Sequence, residues 1–179
     1  GELHWNSNTT HYNTSRLILK GDGGFTGTIS LERNRNNASR THGAFIELAS
    51  DTAAKNAVIS LSGTHANSVA SLAVNTLNAT IKGLVGNENS YVYAGESMDA
   101  AELSGDSRPP STRNATLVVN VDSGKEYTYA GTLGAGLEFI KTGAGTQNLT
   151  GTIAARNVAV WDGVLDVSAA DIRGRIAIG

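Results

Sequence analysis

L-E-F-I-K-T-G-A-G-T-Q-N-L-T-G-T-I runs from Leu137 to Ile153, and after a short link N-V-A-V-W-D-G-V-L-D-V runs from Asn157 to Val167. Leu137, Phe139 and Lys141 fall two apart, on one face of an extended segment. Gly143 and Gly145 then allow a bend, and Leu149 opens the next run before Thr150 and Gly151. A second corner is expected at Asp162-Gly163, with Val158 and Val160 before it and Leu165 and Val167 after it, so that apolar residues alternate on both sides. Short strands joined by glycine corners predict a chain that coils.

The pattern returns elsewhere. Leu149 to Ile153 reads L-T-G-T-I, Tyr129 to Leu133 reads Y-A-G-T-L, and Phe25 to Ile29 reads F-T-G-T-I. The first two start 20 residues apart, a spacing that suits one coil of a solenoid in which equivalent side chains stack on the coil below. Gly1 to Trp5, G-E-L-H-W, has the shape of Gly163 to Val167, G-V-L-D-V. The chain is therefore expected to open on a repeat strand, with Trp5 in a slot matching that of Trp161.

These residues resemble the autotransporter-associated β-strand repeat of bacterial surface proteins, whose pattern runs roughly K-x-G-x-G-T-x-x-L-x-G, a linker, then V-x-x-G-x-L-x-V. The match runs from Lys141 to Gly151 and from Val160 to Val167. The family's linker usually carries Asn-x-Tyr-x-Gly, whereas this chain has Thr152 to Arg156 there, which makes that corner shorter. The resemblance implies a right-handed parallel β-helix and a secreted, passenger-like segment at the bacterial cell surface. It implies architecture and address rather than chemistry.

Composition agrees with an all-β reading. The 179 residues are 40% hydrophobic and 17% charged, with 21 Gly and no Cys, which suits many turns and polar strand faces better than helices. The net charge of −2 gives no basic field for nucleic acid. Without Cys there is neither a disulfide framework nor a thiolate zinc site. No apolar run approaches the ~20 residues that span a bilayer, so no membrane insertion by this segment is expected. Neither a signal peptide nor a starting Met precedes the chain, and a segment of a longer surface protein is expected.

Along the chain, Asn6 to Ser15 and Asn34 to His42 read as polar loops between strands at Leu17 to Leu19, Phe25 to Ile29 and Ala44 to Leu48. Ser50 to Asn56 is expected to form one helical turn capped by Asp51 before a strand at Ala57 to Leu61. Short strands with corners near Asn75 to Asn78 follow, then a strand at Tyr91 to Ala94. Gly95 to Asn114 breaks the rhythm, with Pro109-Pro110 at its exit, and is expected to be an irregular side loop on a single β-helix domain of residues 1–179. Coils resume at Thr116. Inward residues should include Leu17, Leu19, Ile29, Phe45, Ile59, Leu72, Val119, Phe139, Leu149, Val158, Val160, Leu165 and Val167. Roughly seven or eight coils at ~4.8 Å each would make a rod of about 35–40 Å.

For function, the expectation is a non-enzymatic structural or adhesive segment. The enzyme alternative is a β-helix polysaccharide lyase or hydrolase, whose site needs carboxylates converging on one face. Here Asp162 and Asp166 are read as a corner residue and an outward residue. The acidic residues Asp99, Glu102 and Asp106 of the side loop are the candidate ligand or catalytic groups, although nothing matches a calcium loop. His4, His11, His42 and His65 lack metal-ligand spacing, and no cofactor is expected. Trp161 is read as outward and is the candidate sugar-stacking residue, the alternative being a cover for the adjacent corner. Partners are expected among host or environmental glycans or proteins. The alternating strand Ile176-Ala177-Ile178 leaves a ladder edge that either continues in the parent or pairs head to tail with another copy.

Overall fold

The computed structural model describes residues 1–7, 15–34, 44–65, 68–96 and 114–178. In chain order its strands are β1 (Glu2–Ser7), β2 (Ser15–Leu19), β3 (Gly27–Arg33), β4 (Ala44–Leu48), β5 (Ala54–Gly63), β6 (Ala70–Val74), β7 (Asn78–Gly86), β8 (Ser90–Ala94) and β9 (Ala115–Asn120). They continue with β10 (Glu126–Tyr129), β11 (Thr132–Leu133), β12 (Leu137–Thr142), β13 (Thr146–Leu149), β14 (Thr152–Ile153), β15 (Asn157–Val160), β16 (Val164–Asp166), β17 (Asp171–Ile172) and β18 (Ile176–Ile178). The strands pair in parallel and stack in two sheets, one ordered β1-β3-β5-β7-β9-β12-β15-β18 with β10, β13 and β16 as a branch, the other β2-β4-β6-β8-β11-β14-β17. This is a parallel β-helix. Every strand pairs with the equivalent strand one coil away, so the backbone groups of the interior rungs are satisfied between coils rather than by hairpins.

Strand alternation turns one set of side chains inward on each face, and register stacks them into columns. One column runs Leu17, Ile46, Leu72, Val92, Leu133, Ile153, Ile172; another runs Ala79, Leu117, Phe139, Val158, Ile176. The interior members of both are almost fully buried in one continuous core. Stacking like on like lets each coil shield the apolar residues of its neighbours, which is why even strands as short as the two residues of β11, β14 and β17 suffice.

The coil changes shape along the axis. The coils up to β8 carry two strands each, of five to ten residues, whereas those from β9 to β17 carry three each, of two to six residues. The change happens on β7, whose first half pairs with β9 from Asn78 on Thr116 to Ile81 on Val119, while its last residue, Gly86, pairs with Tyr129 of β10. A turn at Val121 to Lys125 separates β9 from β10, closed by the Lys125 N–H on the Asp122 carbonyl at 3.0 Å. The Lys82 ammonium meets the Asp122 carboxylate across this fork at 2.5 Å.

The strands and corners expected around Leu137 to Val167 are present, and Tyr129 stacks on Leu149 and Leu133 on Ile153 as the spacing of 20 predicted. The strand that holds Trp5 stacks on the face that later carries β10, β13 and β16: its column runs Trp5, Leu31, Leu61, Gly86, Tyr129, Leu149. Four expectations are corrected. Phe25 to Ile29 is not equivalent to the other two pentapeptides, because Ile29 sits between Leu3 and Ile59 on the first sheet. Trp5 shares a column with Leu31 and packs against the core, unlike Trp161. Ser50 to Asn56 forms no helical turn: a tight turn closes with Ala53 N–H on Ser50 O, and β5 starts at Ala54. Asp51 caps no helix, and its carboxylate instead accepts from Thr76 Oγ1 and, at 3.2 Å, from the Asn78 N–H in the next coil. Finally, Phe45 faces outward beside inward Ile46, and is buried in a separate cluster with Ala73 and Tyr93 on the outer side of the second sheet.

Candidate functional site

Of the residues singled out from the sequence, Asp99, Glu102 and Asp106 lie outside the described residues, as does most of the Gly95 to Asn114 segment. Trp161 follows β15 directly. Its N–H donates to the Lys141 carbonyl at 2.9 Å, which fixes the backbone, while the side chain stays 68% exposed. Asp162 and Asp166 do not converge. The Asp162 carboxylate accepts its neighbour Gly163 N–H at 2.8 Å, and Asp166 accepts the Ser168 N–H at 2.8 Å. That bond, with a second from the Ser168 hydroxyl, holds the exposed Asp166 carboxyl below its ordinary value.

The densest polar chemistry lies one coil beneath Trp161. Lys141 is fully buried, in the inward column between Val119 and Val160. Its ammonium donates to Thr142 O at 2.7 Å, Gly143 O at 2.6 Å and Asp162 O at 3.2 Å. An ammonium has three protons, and all three are engaged by carbonyls of two successive corners. Burial pulls the Lys141 pKa below 10.5, while the Asp162 carboxylate opposes that pull. The corner above is shaped to fit. Gly163 has φ of +74°, and a Cβ there would come within 2.2 Å of Gly143 O and 2.9 Å of Lys141 Nζ, so this position tolerates no side chain.

Two amide side chains act as pieces of strand. Gln147, fully buried, faces Leu84 across the fork, where the pairing of β7 with β10 is confined to Gly86 and Tyr129. Its Oε1 accepts the Leu84 N–H at 3.1 Å and its Nε2 donates to Leu84 O at 2.9 Å. Asn87 does the same for Gly63, accepting its N–H at 3.1 Å and donating to its carbonyl at 2.8 Å. Alternation with Leu149 marks Gln147 as inward in the sequence, but nothing in the sequence names a partner 63 positions earlier.

The outer side of the second sheet carries aromatic rings. Tyr91 and Tyr93 stack with centroids 5.5 Å apart, and Phe45 meets Tyr93 edge-on at 6.4 Å. At the corner between β6 and β7, a concavity of about 210 Å³ is lined by Val74, Asn75, Thr76, Leu77 and Asn114. Among the described residues, no three acidic or imidazole side chains gather as a metal site requires, and no helix is long and apolar enough to cross a membrane. Comparison with known proteins returns no matching family model, curated protein or solved structure.

Proposed function

We propose that this chain is a structural or adhesive β-helix segment of a secreted, surface-displayed bacterial protein, a non-enzymatic spacer that holds its side loops away from the stack. One observation carries the reading: the buried polar groups Lys141 and Gln147 hydrogen-bond to backbone carbonyls and amides of their own and adjoining coils, which uses them for stiffness. The bacterial-surface address rests on the repeat-like residues from Lys141 to Val167. Exposed Trp161 at a corner supplies a flat apolar face of the kind that stacks on a sugar ring, and makes glycan the favoured adhesive ligand.

Incubation with a panel of polysaccharides, read by release of reducing ends and by absorbance of unsaturated products, tests the reading. No turnover is expected. Turnover that disappears in Asp99→Ala or Glu102→Ala would replace the spacer with a carbohydrate-active enzyme. On a glycan array, any binding is expected to fall in Trp161→Ala while thermal stability stays unchanged. Retained binding in that variant would move the adhesive surface elsewhere.

A further inference from the structure

Three corners stack on the side of the coil that carries Trp161, and they differ in length. They follow β9, β12 and β15 and comprise residues 121–125, 143–145 and 161–163. The hydrogen bonds between them show the consequence. Gly145 N–H donates to Val121 O at 3.0 Å, and that of the next residue, Thr146, donates to Lys125 O at 2.9 Å. Adjacent residues of one coil thus take partners four apart in the coil before, so Asp122, Ser123 and Gly124 leave the outline of the stack as a projecting turn. All three are exposed.

The middle corner is recessed by comparison. Gly143 and Gly145 carry no side chain, and a Cβ on them would come within 2.4 Å of Val121 O and 2.3 Å of Asp122 O respectively. Only the Ala144 methyl stands out from this corner, and Ala144 is exposed. One coil further on, Val160 pairs with Lys141 and is followed by Trp161, whose side chain is 68% exposed. Turn, ledge and indole therefore form a step along the axis. The turn and the indole stand two rungs apart, about 10 Å, which leaves the ledge between them wide enough for one six-membered ring.

The charges around the step select what fits it. The Lys82 ammonium is held by the Asp122 carboxylate at 2.5 Å, and Lys141 is engaged inside by carbonyls. Lys125 on the turn is exposed, as are the carboxylate residues Asp122 and Asp162. An anionic ring would meet those two carboxylates. A neutral pyranose instead offers C–H groups to the indole and hydroxyls to Ser123, Lys125 and Asp162. Asp162 receives the Gly163 N–H on Oδ1, so its Oδ2 can accept a hydroxyl.

We infer that this step is a subsite for one neutral pyranose of a glycan: Trp161 stacks on the ring, Gly143, Ala144 and Gly145 form its floor, and Ser123 and Asp162 bond its hydroxyls. The inference rests on the glycan reading of Trp161 and gives it a place and a charge preference.

Titration with two neutral oligosaccharides, cellohexaose and mannohexaose, against an oligogalacturonate of the same length tests it, read by calorimetry and tryptophan emission. At least one neutral oligosaccharide is expected to bind and to shift the emission of exposed Trp161, since Trp5 packs against the core. The uronate is expected to bind more weakly. Trp161→Ala should weaken binding about tenfold or more. Ala144→Leu fills the ledge without a ring or a polar group and should weaken binding as much, with an unchanged melting temperature because the position is exposed. Thr150→Leu, at an exposed corner between β13 and β14, should bind as the wild type does. Binding that falls in Trp161→Ala but not in Ala144→Leu would overturn the subsite while leaving the glycan reading of the indole intact. Tighter binding of the uronate would overturn the neutral pyranose. A chain that binds none of the three would overturn the inference together with the glycan reading beneath it.

Discussion

Replacing Lys141 by Met would leave the carbonyls of Thr142, Gly143 and Asp162 without the ammonium that serves all three. Methionine fills a similar volume, so the loss is polar rather than steric. Stranding buried acceptors costs about 1–3 kcal/mol for each group, and relaxation of the two corners should hold the total to about 2–4 kcal/mol in urea unfolding. The same residue predicts a pH dependence. Because burial lowers the Lys141 pKa below 10.5, the unfolded chain keeps its proton at a pH where the folded chain has begun to release it. Stability carried by this group therefore rises with pH from the folded-state pKa up to 10.5 and is flat below that window. Lys141→Met should flatten the alkaline rise. A Met variant whose stability follows wild type across that window would place the titration on another group.

At the scale of the element, the fork on β7 joins a two-strand coil to a three-strand coil, and it works because Gly83 is bare. A Cβ at Gly83 would come within 2.3 Å of the Tyr127 ring, which packs against the core from β10. Gly83→Val should therefore destabilise by about 1–3 kcal/mol through overpacking. Combining it with Tyr127→Ala should recover part of that cost, so the two changes will not add in a double-mutant cycle. Additive losses would mean that ring and backbone do not meet there. Gln147→Leu attacks the same fork from the polar side. It leaves the Leu84 N–H and C=O unpaired in a buried site and should cost about 2–3 kcal/mol, measured by the same unfolding experiment.

For the whole molecule, each coil touches chiefly its neighbours, so stability is a sum of intrinsic and nearest-neighbour terms that is poorest at the ends. Hydrogen exchange on dilute protein should show a gradient. Amides of β5 to β8 are expected to exchange slowest, and those of β1, β2, β16 and β17 fastest, since among the described residues these rungs pair on one edge alone. Uniform protection along the axis in dilute solution would contradict independent coils.

Much of this was legible in local pattern. Leucine and valine at alternate positions, with glycine at Gly143 and Gly163, determined where strands run and where they bend, because side-chain direction and corner conformation depend on a few adjacent residues. The spacing of Tyr129 and Leu149 determined the coil length for the same reason. What the tertiary structure alone decided is which rungs share a column and what the polar inward residues do there. Gln147 completes a strand 63 positions away, Asp51 binds the corner of the next coil rather than a helix of its own, and Phe45 is buried on the outer side of a sheet whose inner side takes Ile46. The acidic residues Asp99, Glu102 and Asp106 fall outside the described residues, so the candidate site drawn from sequence rests on Trp161. Alternation assigns a side chain to a face, but the partner across that face is set by register between coils, and register is a property of the assembled stack.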